Sequence, residues 1–366
     1  MNSAGQKLCL SMIVRNEAPV ILRCLASVLP LIDSWAIVDT GSTDGTQILI
    51  RDRLKALPGE LYERPWRDFA SNRTEALGLA RGRGDYTLLI DADDVLMRDR
   101  DELPELVAPS YTVEILDADI LYRRPHVVKS ELPFRYEGVL HEYLTCDGAE
   151  DSGHLEGFRI LRNNDGARRR DSQTYRKDAA LLEDALLTEA NPFLVARYRF
   201  YLAQSYHDCG EFALALENYR RRAALGFWDQ EVFVSLYRAA QEMERLEFSN
   251  GEVISAYLRA ADAMPSRVEA LHGAARFCRL KHRYEQGYRI AKRGIGIPAA
   301  ANALFLEPWI YEVGLLDEFA INAYWAGHYR ESLDASLKIL ESAILNPADM
   351  QRIAANARFA FHKLGV

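Results

Sequence analysis

The stretch LLIDADDVL, residues 88–96, places three carboxylates directly after an apolar segment. Residues 87–90 have the apolar, β-favouring character of a buried strand, and Asp91, Asp93 and Asp94 follow them. Carboxylates crowded at one strand end repel each other, so we expect a positive charge beside them. Mg²⁺ and Mn²⁺ typically bind one or two carboxylates and complete their shells with water and substrate phosphates. The spacing therefore predicts a Mn²⁺ or Mg²⁺ site at Asp91 and Asp93.

Two earlier apolar segments also end in polar side chains. LCLSMIV, residues 8–14, precedes Arg15 and Glu17, and WAIV, residues 35–38, precedes Asp39. In open α/β sheets, ligands bind at the carboxyl ends of parallel strands, so these side chains would meet the acidic cluster at one sheet edge. Each of them alone also fits a purely structural role, as a first-turn helix carboxylate, a turn residue or a cap. Their combination favours a ligand site.

Two of the side chains suit contacts with a nucleotide. Asp39 could accept a hydrogen bond from a base N–H such as N3 of uracil. Arg73, at the start of the helix before the acidic strand, could reach a ribose or a phosphate. The predicted nucleotide-binding residues are Arg15, Glu17, Asp39, Arg73 and Asp91.

The composition is that of a globular protein with two domains. The chain has 366 residues, 49% of them hydrophobic and 27% charged, and this length exceeds that of one ordinary core. A net charge of −8 argues against a nucleic-acid binder and against a polybasic membrane anchor. The five scattered cysteines form no CxxC pair, and neither a signal peptide nor a transmembrane segment is visible. These features predict a cytoplasmic protein.

Residues 1–171 predict an α/β domain. Strand and helix patterns alternate up to the acidic cluster, which indicates a Rossmann-like, mostly parallel sheet with right-handed crossovers. The first helix is expected over residues 17–32, and the turn TGSTDGT is expected to cap the second. Beyond residue 94, YTVEIL, DILYRRPHVV and RYEGVLHEYLTC look like strands without intervening helices. This half therefore predicts a parallel sheet with an antiparallel extension.

Residues 172–366 predict an all-α repeat domain. FYLAQSYHDCGEFALALENY, residues 200–219, has Gly210 at an inter-helix turn and the residue spacing of a tetratricopeptide repeat (TPR) at Leu202, Tyr206, Ala215 and Tyr219. Shorter segments look like degenerate copies of the second helix or the turn: SAYLRAADAMP, HRYEQGY and GHYRESL. An unrelated helical bundle is the alternative, and the recurrence favours the solenoid.

Four motifs in order, MIVRNE, VDTGSTDGT, FASNRTEAL and LLIDADDVL, resemble the nucleotide-binding half of the family 2 glycosyltransferases with a GT-A fold. The acidic triplet matches the DxD motif of that family. RYEGVLHEYL and the repeats resemble its bacterial branch that is fused to TPRs. The resemblance implies sugar transfer from a nucleotide diphosphosugar with inversion at the anomeric carbon. By position, it implies that Asp39 reads the base, Asp91 lies near the ribose or metal-bound water, and Asp93 binds the metal.

The segment RYEGVLHEYL, residues 135–144, offers the general base that an inverting transfer needs. Family members often carry an acidic residue in this region, and here Glu137, His141 and Glu142 are candidates. In an extended strand His141 and Glu142 would point to opposite faces. Glu142 is the preferred catalytic residue. His141 is the alternative, either as the base or as a ligand near the metal. A half-buried histidine with a purely structural role is the other interpretation of His141.

The segment FRILRNNDG, residues 158–166, departs from the pattern. Related sequences often place a His here that helps to hold the metal or the diphosphate, whereas this chain has Arg162, Asn163 and Asn164. Either Asp93 is the only strong protein ligand of the metal, or a basic residue takes over part of the metal's role. The run at residues 168–170, three arginines, could do so, and a solvated interdomain charge run is the other interpretation.

The leading hypothesis is a metal-dependent inverting glycosyltransferase. It would transfer a sugar from a UDP-sugar to a hydroxyl of a protein, peptide or glycan, with a repeat domain that binds the acceptor or forms a homodimer. The alternative is a non-catalytic nucleotide-sugar-binding TPR scaffold that recruits a partner. A nucleotidyltransferase is a third interpretation, but the Gly-rich, Lys-bearing loop expected near a triphosphate is missing from the sequence.

Overall fold

The computed structural model describes residues 1–118, 120–149, 151–300, 303–341 and 345–365, without the side chains of residues 169 and 170. The chain divides into two compact units, Met1–Leu194 and Val195–Val366. The domain boundary between residues 171 and 172 stays a prediction. Among the described residues, no helix combines the length and the apolar character needed to cross a membrane.

The described residues of the first unit form ten strands and four α-helices. The strands are β1 Leu8–Val14, β2 Ser34–Asp39, β3 Gly59–Glu63, β4 Tyr86–Leu89, β5 Asp94–Arg98, β6 Ser110–Asp117, β7 Ile120–Lys129, β8 Arg135–Glu137, β9 Tyr143–Thr145 and β10 Ser152–Arg162. The helices are α1 Ile21–Val28, α2 Thr46–Leu54, α3 Phe69–Ala80 and α4 Thr174–Thr188. Strands β8 and β9 pair with each other, and the other eight form one sheet in the order β3-β2-β1-β4-β7-β6-β10-β5.

The half of the sheet that contains β1 to β4 is parallel. β1 lies between β2 and β4 and runs parallel to both, and β3 runs parallel to β2. All six residues of β2 and six of the seven of β1 are buried, as expected for strands covered on both faces. The predicted parallel α/β architecture is confirmed, and the carboxyl ends of β1, β2 and β4 lie side by side.

The extension of the sheet is mainly antiparallel, as predicted, and includes one parallel pair. β7 is antiparallel to β4 and β6, β10 is parallel to β6, and the unpredicted strand β5 is antiparallel to β10. The segment RYEGVLHEYLTC, predicted as one strand, is a hairpin of β8 and β9. Its loop contains Gly138 (φ 107°) and His141 (φ 52°), and a left-handed backbone at these residues interrupts the extended chain.

The second unit is built from helices. They are α5 Pro192–Asp208, α6 Phe212–Ala224, α7 Asp229–Arg245, α8 Asn250–Ala263, α9 Glu269–Leu280, α10 Tyr284–Gly294, α11 Leu315–Trp325, α12 Tyr329–Leu340 and α13 Pro347–Lys363. From α6 to α13, each helix packs on the next, and α9 also packs on α11. Gly210 (φ 84°) and Gly327 (φ 89°) form inter-helix turns. The predicted TPR positions are buried, which confirms the helical-hairpin repeat: Leu202, Tyr206, Ala215 and Tyr219.

Candidate active site

Polar residues lie together at the carboxyl ends of β1, β2 and β4. Arg15 and Glu17 follow β1, Asp39 is the last residue of β2, and Asp91 lies just beyond β4. Because these three strands are adjacent and parallel, their ends meet at one sheet edge. The structure therefore brings together the strand-end residues that the sequence had singled out.

The turn after β2 holds the loop after β1. Asn16 (φ 57°) donates its backbone N–H to Ser42 Oγ at 2.8 Å, and its Oδ1 accepts from the N–H of Thr43 at 2.8 Å. The turn was predicted to cap α2, but the N-cap residue is Gly45, without a side-chain cap. Asp44 lies before this residue and binds two segments: its Oδ1 accepts from the N–H of Thr46, the first residue of α2, at 3.1 Å, and its Oδ2 accepts from the N–H of Ala18 at 3.0 Å. The polar turn thus holds both the loop after β1 and the start of α2.

Asp39 is a buried carboxylate, with 1% of the residue exposed, whose two oxygens differ. Its Oδ1 accepts hydrogen bonds from the N–H groups of Gly41 at 2.9 Å and Ser42 at 2.8 Å. Its Oδ2 is buried and has no hydrogen-bond partner in the described part of the chain. A buried acceptor left without a donor typically costs about 1–3 kcal/mol. A ligand N–H at Oδ2 would remove that cost.

Asp91 lies in the turn between β4 and β5 and is paired with Arg73. Arg73 Nη2 lies 2.6 Å from Asp91 Oδ1. Burial opposes ionisation of Asp91, but Arg73 and then Arg162 outweigh it and hold its pKa well below the usual range. Asp91 is therefore ionised at neutral pH. Part of the positive charge expected beside the acidic cluster comes from Arg73.

Asp93 and Asp94 differ in environment. Asp93 stays in the turn, where burial and then the charge of Asp91 raise its pKa. Asp94 begins β5 and is 4% exposed; burial and then Asp91 raise its pKa to about 8. Arg162 lies across from Asp94, with its Nε 3.9 Å from Asp94 Oδ1. Asp94 thus points into the protein, and Asp91 and Asp93 remain at the edge.

Arg73 links the acidic edge to the β8–β9 hairpin. Its Nε lies 2.7 Å from Oε1 of Glu142, whose side chain is 8% exposed. Its guanidinium lies over the ring of Tyr136, 5.7 Å from the centroid. Burial opposes the charge of Arg73, but Asp91 and Glu142 outweigh it and raise its pKa further. The guanidinium of Arg73 thus lies between Glu142 and Asp91. The sequence analysis predicted that it contacts a ribose or a phosphate.

The other candidate bases lie in the same hairpin but in different surroundings. His141 precedes Glu142 in the loop and is exposed. Glu137 is held by Arg135, at 2.9 Å from Oε1, and by the hydroxyl of Tyr143, at 2.8 Å from Oε2. Glu137 therefore stabilises the β8–β9 hairpin through contacts within it.

His126 is a residue at this site that the sequence analysis missed. Its Nδ1 lies 2.6 Å from the carbonyl oxygen of Leu89, the last residue of β4, so Nδ1 carries the proton and donates it. Burial, followed by the charge of Arg124, lowers the pKa of His126 to about 4. Its Nε2 is buried without a partner among the described residues. A lone His in a strand pattern gives no signal of such a contact, because the partner lies on another strand.

Glu17 and Arg168 face partners within the first unit. The carboxylate of Glu17 accepts from the N–H of Ala167, at 3.2 and 3.1 Å from its two oxygens. Arg168 pairs with Asp178, and its guanidinium lies over the ring of Phe69, 4.8 Å from the centroid. The side chains of residues 169 and 170, named with Arg168 as candidates, lie outside the described part.

The carboxylates at the acidic edge could supply only part of the coordination shell of a divalent ion. Within the described ranges, no three His, Cys, Asp or Glu side chains are grouped so as to hold a metal ion. Asp91 and Asp93 supply carboxylate oxygens, the donors that Mg²⁺ and Mn²⁺ prefer. The donor chemistry therefore fits an ion whose remaining positions are filled by water and by substrate oxygens.

Comparisons with known proteins show similarity to glycosyltransferases and to a repeat protein. Residues 9–125 match the family described as Glycosyl transferase family 2. A TPR repeat-containing protein of Synechococcus elongatus is 30% identical over 152 residues, 39% of this chain and 36% of that protein. An uncharacterized glycosyltransferase of Rickettsia felis is 23% identical over 245 residues, 62% of this chain and 79% of that protein. This chain therefore spans about a third of the length of the Synechococcus protein.

Solved structures of repeat proteins also match the chain. The crystal structure of MamA is 11% identical with a TM-score of 0.35, over 54% of this chain and 93% of that chain. A tetratricopeptide repeat protein from Parabacteroides merdae is 16% identical with a TM-score of 0.38, over 53% of this chain and 69% of that chain.

Proposed function

We propose, from the glycosyl transferase family 2 domain that the chain carries at residues 9–125, that this protein is a metal-dependent inverting glycosyltransferase. It would transfer a sugar from a UDP-sugar to an acceptor hydroxyl. The observation that carries the proposal is the meeting of Asp39, Asp91 and Asp93 at the ends of neighbouring parallel strands. One edge of the sheet thus offers an acceptor for the base and oxygens for a metal ion.

The proposed choice of uridine rests on Asp39. Uracil carries an N–H donor at N3, whereas the corresponding nitrogen of cytosine is an acceptor. The buried Oδ2 of Asp39, which has no hydrogen-bond partner among the residues that the structure describes, would accept that N–H. Its Oδ1 is fixed by the turn, so the carboxylate would not have to reorient when the base binds.

The proposed metal site uses Asp93 and Asp91. A Mn²⁺ or Mg²⁺ ion bound there would stabilise the charge of the leaving diphosphate. Arg73 orients Asp91 through the 2.6 Å contact with its Oδ1. Arg162 adds a permanent positive charge whose field lowers the pKa of Asp91. The chain's own residues thus set the charge of the edge that receives the diphosphate.

The proposed general base is Glu142. Its Oε1 is engaged by Arg73, which leaves Oε2 to accept the proton of the acceptor hydroxyl. In a single displacement, the acceptor oxygen forms its bond to the anomeric carbon as the bond to the diphosphate oxygen breaks, and the hydroxyl proton passes to Glu142. His141, the next residue along the loop, is the alternative base.

The helical repeats would bind the acceptor or a second copy of the chain. Helical-hairpin solenoids present extended concave surfaces to their ligands. A protein, a peptide or a glycan fits this role, and a homodimer through the repeats stays a prediction, as does the cytoplasmic location.

A donor screen tests the proposal. The purified chain is incubated with Mn²⁺ and a panel of UDP-, GDP- and ADP-sugars, and nucleotide release is measured with Asp93→Ala as the control. We expect release from at least one UDP-sugar by the wild type alone. Binding of a UDP-sugar without any release, across the panel and with candidate acceptors added, would favour the scaffold alternative.

A further inference from the structure

The loop at residues 163–167, which follows β10, forms hydrogen bonds with Asp93 in the acidic turn. The backbone N–H of Gly166 donates to Asp93 Oδ2 at 3.2 Å. The side chain of Asn163 donates from Nδ2 to the backbone carbonyl of Asp93 at 3.1 Å. One short loop therefore binds both the carboxylate and the main chain of the same residue. We call residues 163–167 the clasp.

The clasp is itself anchored to the elements that follow β1. Arg23 on α1 donates two hydrogen bonds to the carboxylate of Asp165, at 2.6 and 2.9 Å. Its Nη2 also donates to the carbonyl of Asp93 at 3.0 Å. The N–H of Ala167 donates to the carboxylate of Glu17. The position of Asp93 is thus tied to β1, α1 and β10 together.

Glycine is required at position 166 because a side chain would collide with Asp93, and not because of the backbone conformation. Its φ is −65° and its ψ is 170°, values that any residue adopts. A Cβ atom at this position would lie 2.7 Å from Oδ2 and 3.0 Å from Cγ of Asp93. The backbone can approach the carboxylate only because residue 166 has no side chain.

We propose that the clasp positions Asp93 as a single-oxygen metal ligand. This inference rests on the proposed function. The N–H of Gly166 donates to Oδ2, so Oδ1 would be the oxygen available to a metal ion. Partners that orient a metal-binding carboxylate typically contribute about 10- to 100-fold to metal affinity. Gly166 and Asn163 are therefore positioning residues, which act on the reaction only through Asp93.

The test measures metal binding and not turnover. UDP affinity is determined by calorimetry with Mn²⁺ and with EDTA for Gly166→Ala, Asn163→Ala, Asp93→Ala and the wild type. Gly251→Ala is the matched control, because a Cβ at this helical glycine of the second unit meets open space. We expect Gly166→Ala to lose about 10- to 100-fold of the Mn²⁺-dependent affinity and Asn163→Ala to lose less. Affinity in EDTA and the Gly251→Ala protein should stay as in the wild type.

The outcomes distinguish a failure of the clasp proposal from a failure of the metal-site proposal. If Asp93→Ala abolishes the Mn²⁺ effect while Gly166→Ala and Asn163→Ala bind like the wild type, the clasp proposal is overturned and the metal site stands. If Asp93→Ala leaves the Mn²⁺ effect intact, the metal site itself fails, and the clasp proposal fails with it. If Gly166→Ala does not fold, Asn163→Ala decides, because it adds no bulk.

Discussion

The two oxygens of the buried Asp39 carboxylate have different roles: one stabilises a turn, and the other is proposed to bind the ligand. Its Oδ1 closes the turn after β2, and its Oδ2 receives no hydrogen bond from any described residue. A neutral amide of the same shape would keep one oxygen for the turn and present an NH₂ group where uracil needs an acceptor.

We therefore expect Asp39→Asn to weaken UDP binding by about 1.5–3 kcal/mol, the range for a hydrogen bond to a charged group. The preference of the wild type for UDP over GDP and ADP should disappear in the same variant. Competition calorimetry with the three nucleotides measures both effects. Equal affinity of the wild type for all three would rule out Asp39 as the base-reading residue.

Glu142 combines burial with an ion pair to Arg73, so a conservative change is needed to test it as the base. Glu142→Gln keeps an oxygen beside Arg73 Nε but gives up the charge of the ion pair and cannot take up the proton. Transfer should slow by roughly 10²–10⁴, the usual contribution of general base catalysis, with donor binding nearly unchanged. Single-turnover kinetics and UDP-sugar titration measure the two effects. Near-normal turnover would move the assignment to His141, and lost donor binding would place Glu142 in the donor site.

At the scale of elements, the contact between β7 and β4 sets the start of the acidic turn. His126 on β7 donates to the carbonyl of Leu89, two residues before Asp91. Burial, the charges of Arg124 and Arg162, and the opposing effects of Leu89 and Asp91 leave the pKa of His126 at about 4, below its ordinary 6.5. The folded protein thus holds a neutral ring where the unfolded chain would already be protonated.

This shift predicts a specific loss of stability in acid. A depressed folded-state pKa contributes stability that is present above pH 6.5 and is lost as the pH falls toward about 4. His126→Asn retains an N–H for the Leu89 carbonyl but does not titrate, so its unfolding free energy should fall less steeply over this range. The difference in slope is at most ~1.4 kcal/mol per pH unit. Urea unfolding at several pH values measures it, and parallel curves would contradict the assignment.

At the scale of the whole molecule, the two compact units predict independent folding of the repeats. The second unit has its own core, which includes Tyr198, Phe200, Tyr219 and Phe233. A fragment of residues 190–366 keeps α5 whole and should be strongly helical and unfold cooperatively by circular dichroism. A fragment of residues 172–366 adds α4, which belongs to the first unit, so its helical content per residue should be lower. An unfolded 190–366 fragment would refute the division.

The sequence alone determined the features that depend on spacing within a segment. Continuous apolar runs indicate doubly buried strands, so β1, β2 and β4 and the polar residues at their ends were identified. The TPR positions around Gly210 follow a fixed helical period and were found for the same reason. The acidic turn stood out because three carboxylates directly follow a buried strand.

Only the tertiary structure decided which distant groups these residues meet. Gly166 and Asp93 are 73 residues apart, and their contact depends on β10 lying beside both β5 and β6, an order that no local pattern specifies. Arg73 binds Glu142 only because the predicted strand is a hairpin, reversed through left-handed residues at its loop. Hydrogen bonds and ion pairs act over a few ångströms in space, whereas periodicity records only neighbours along the chain.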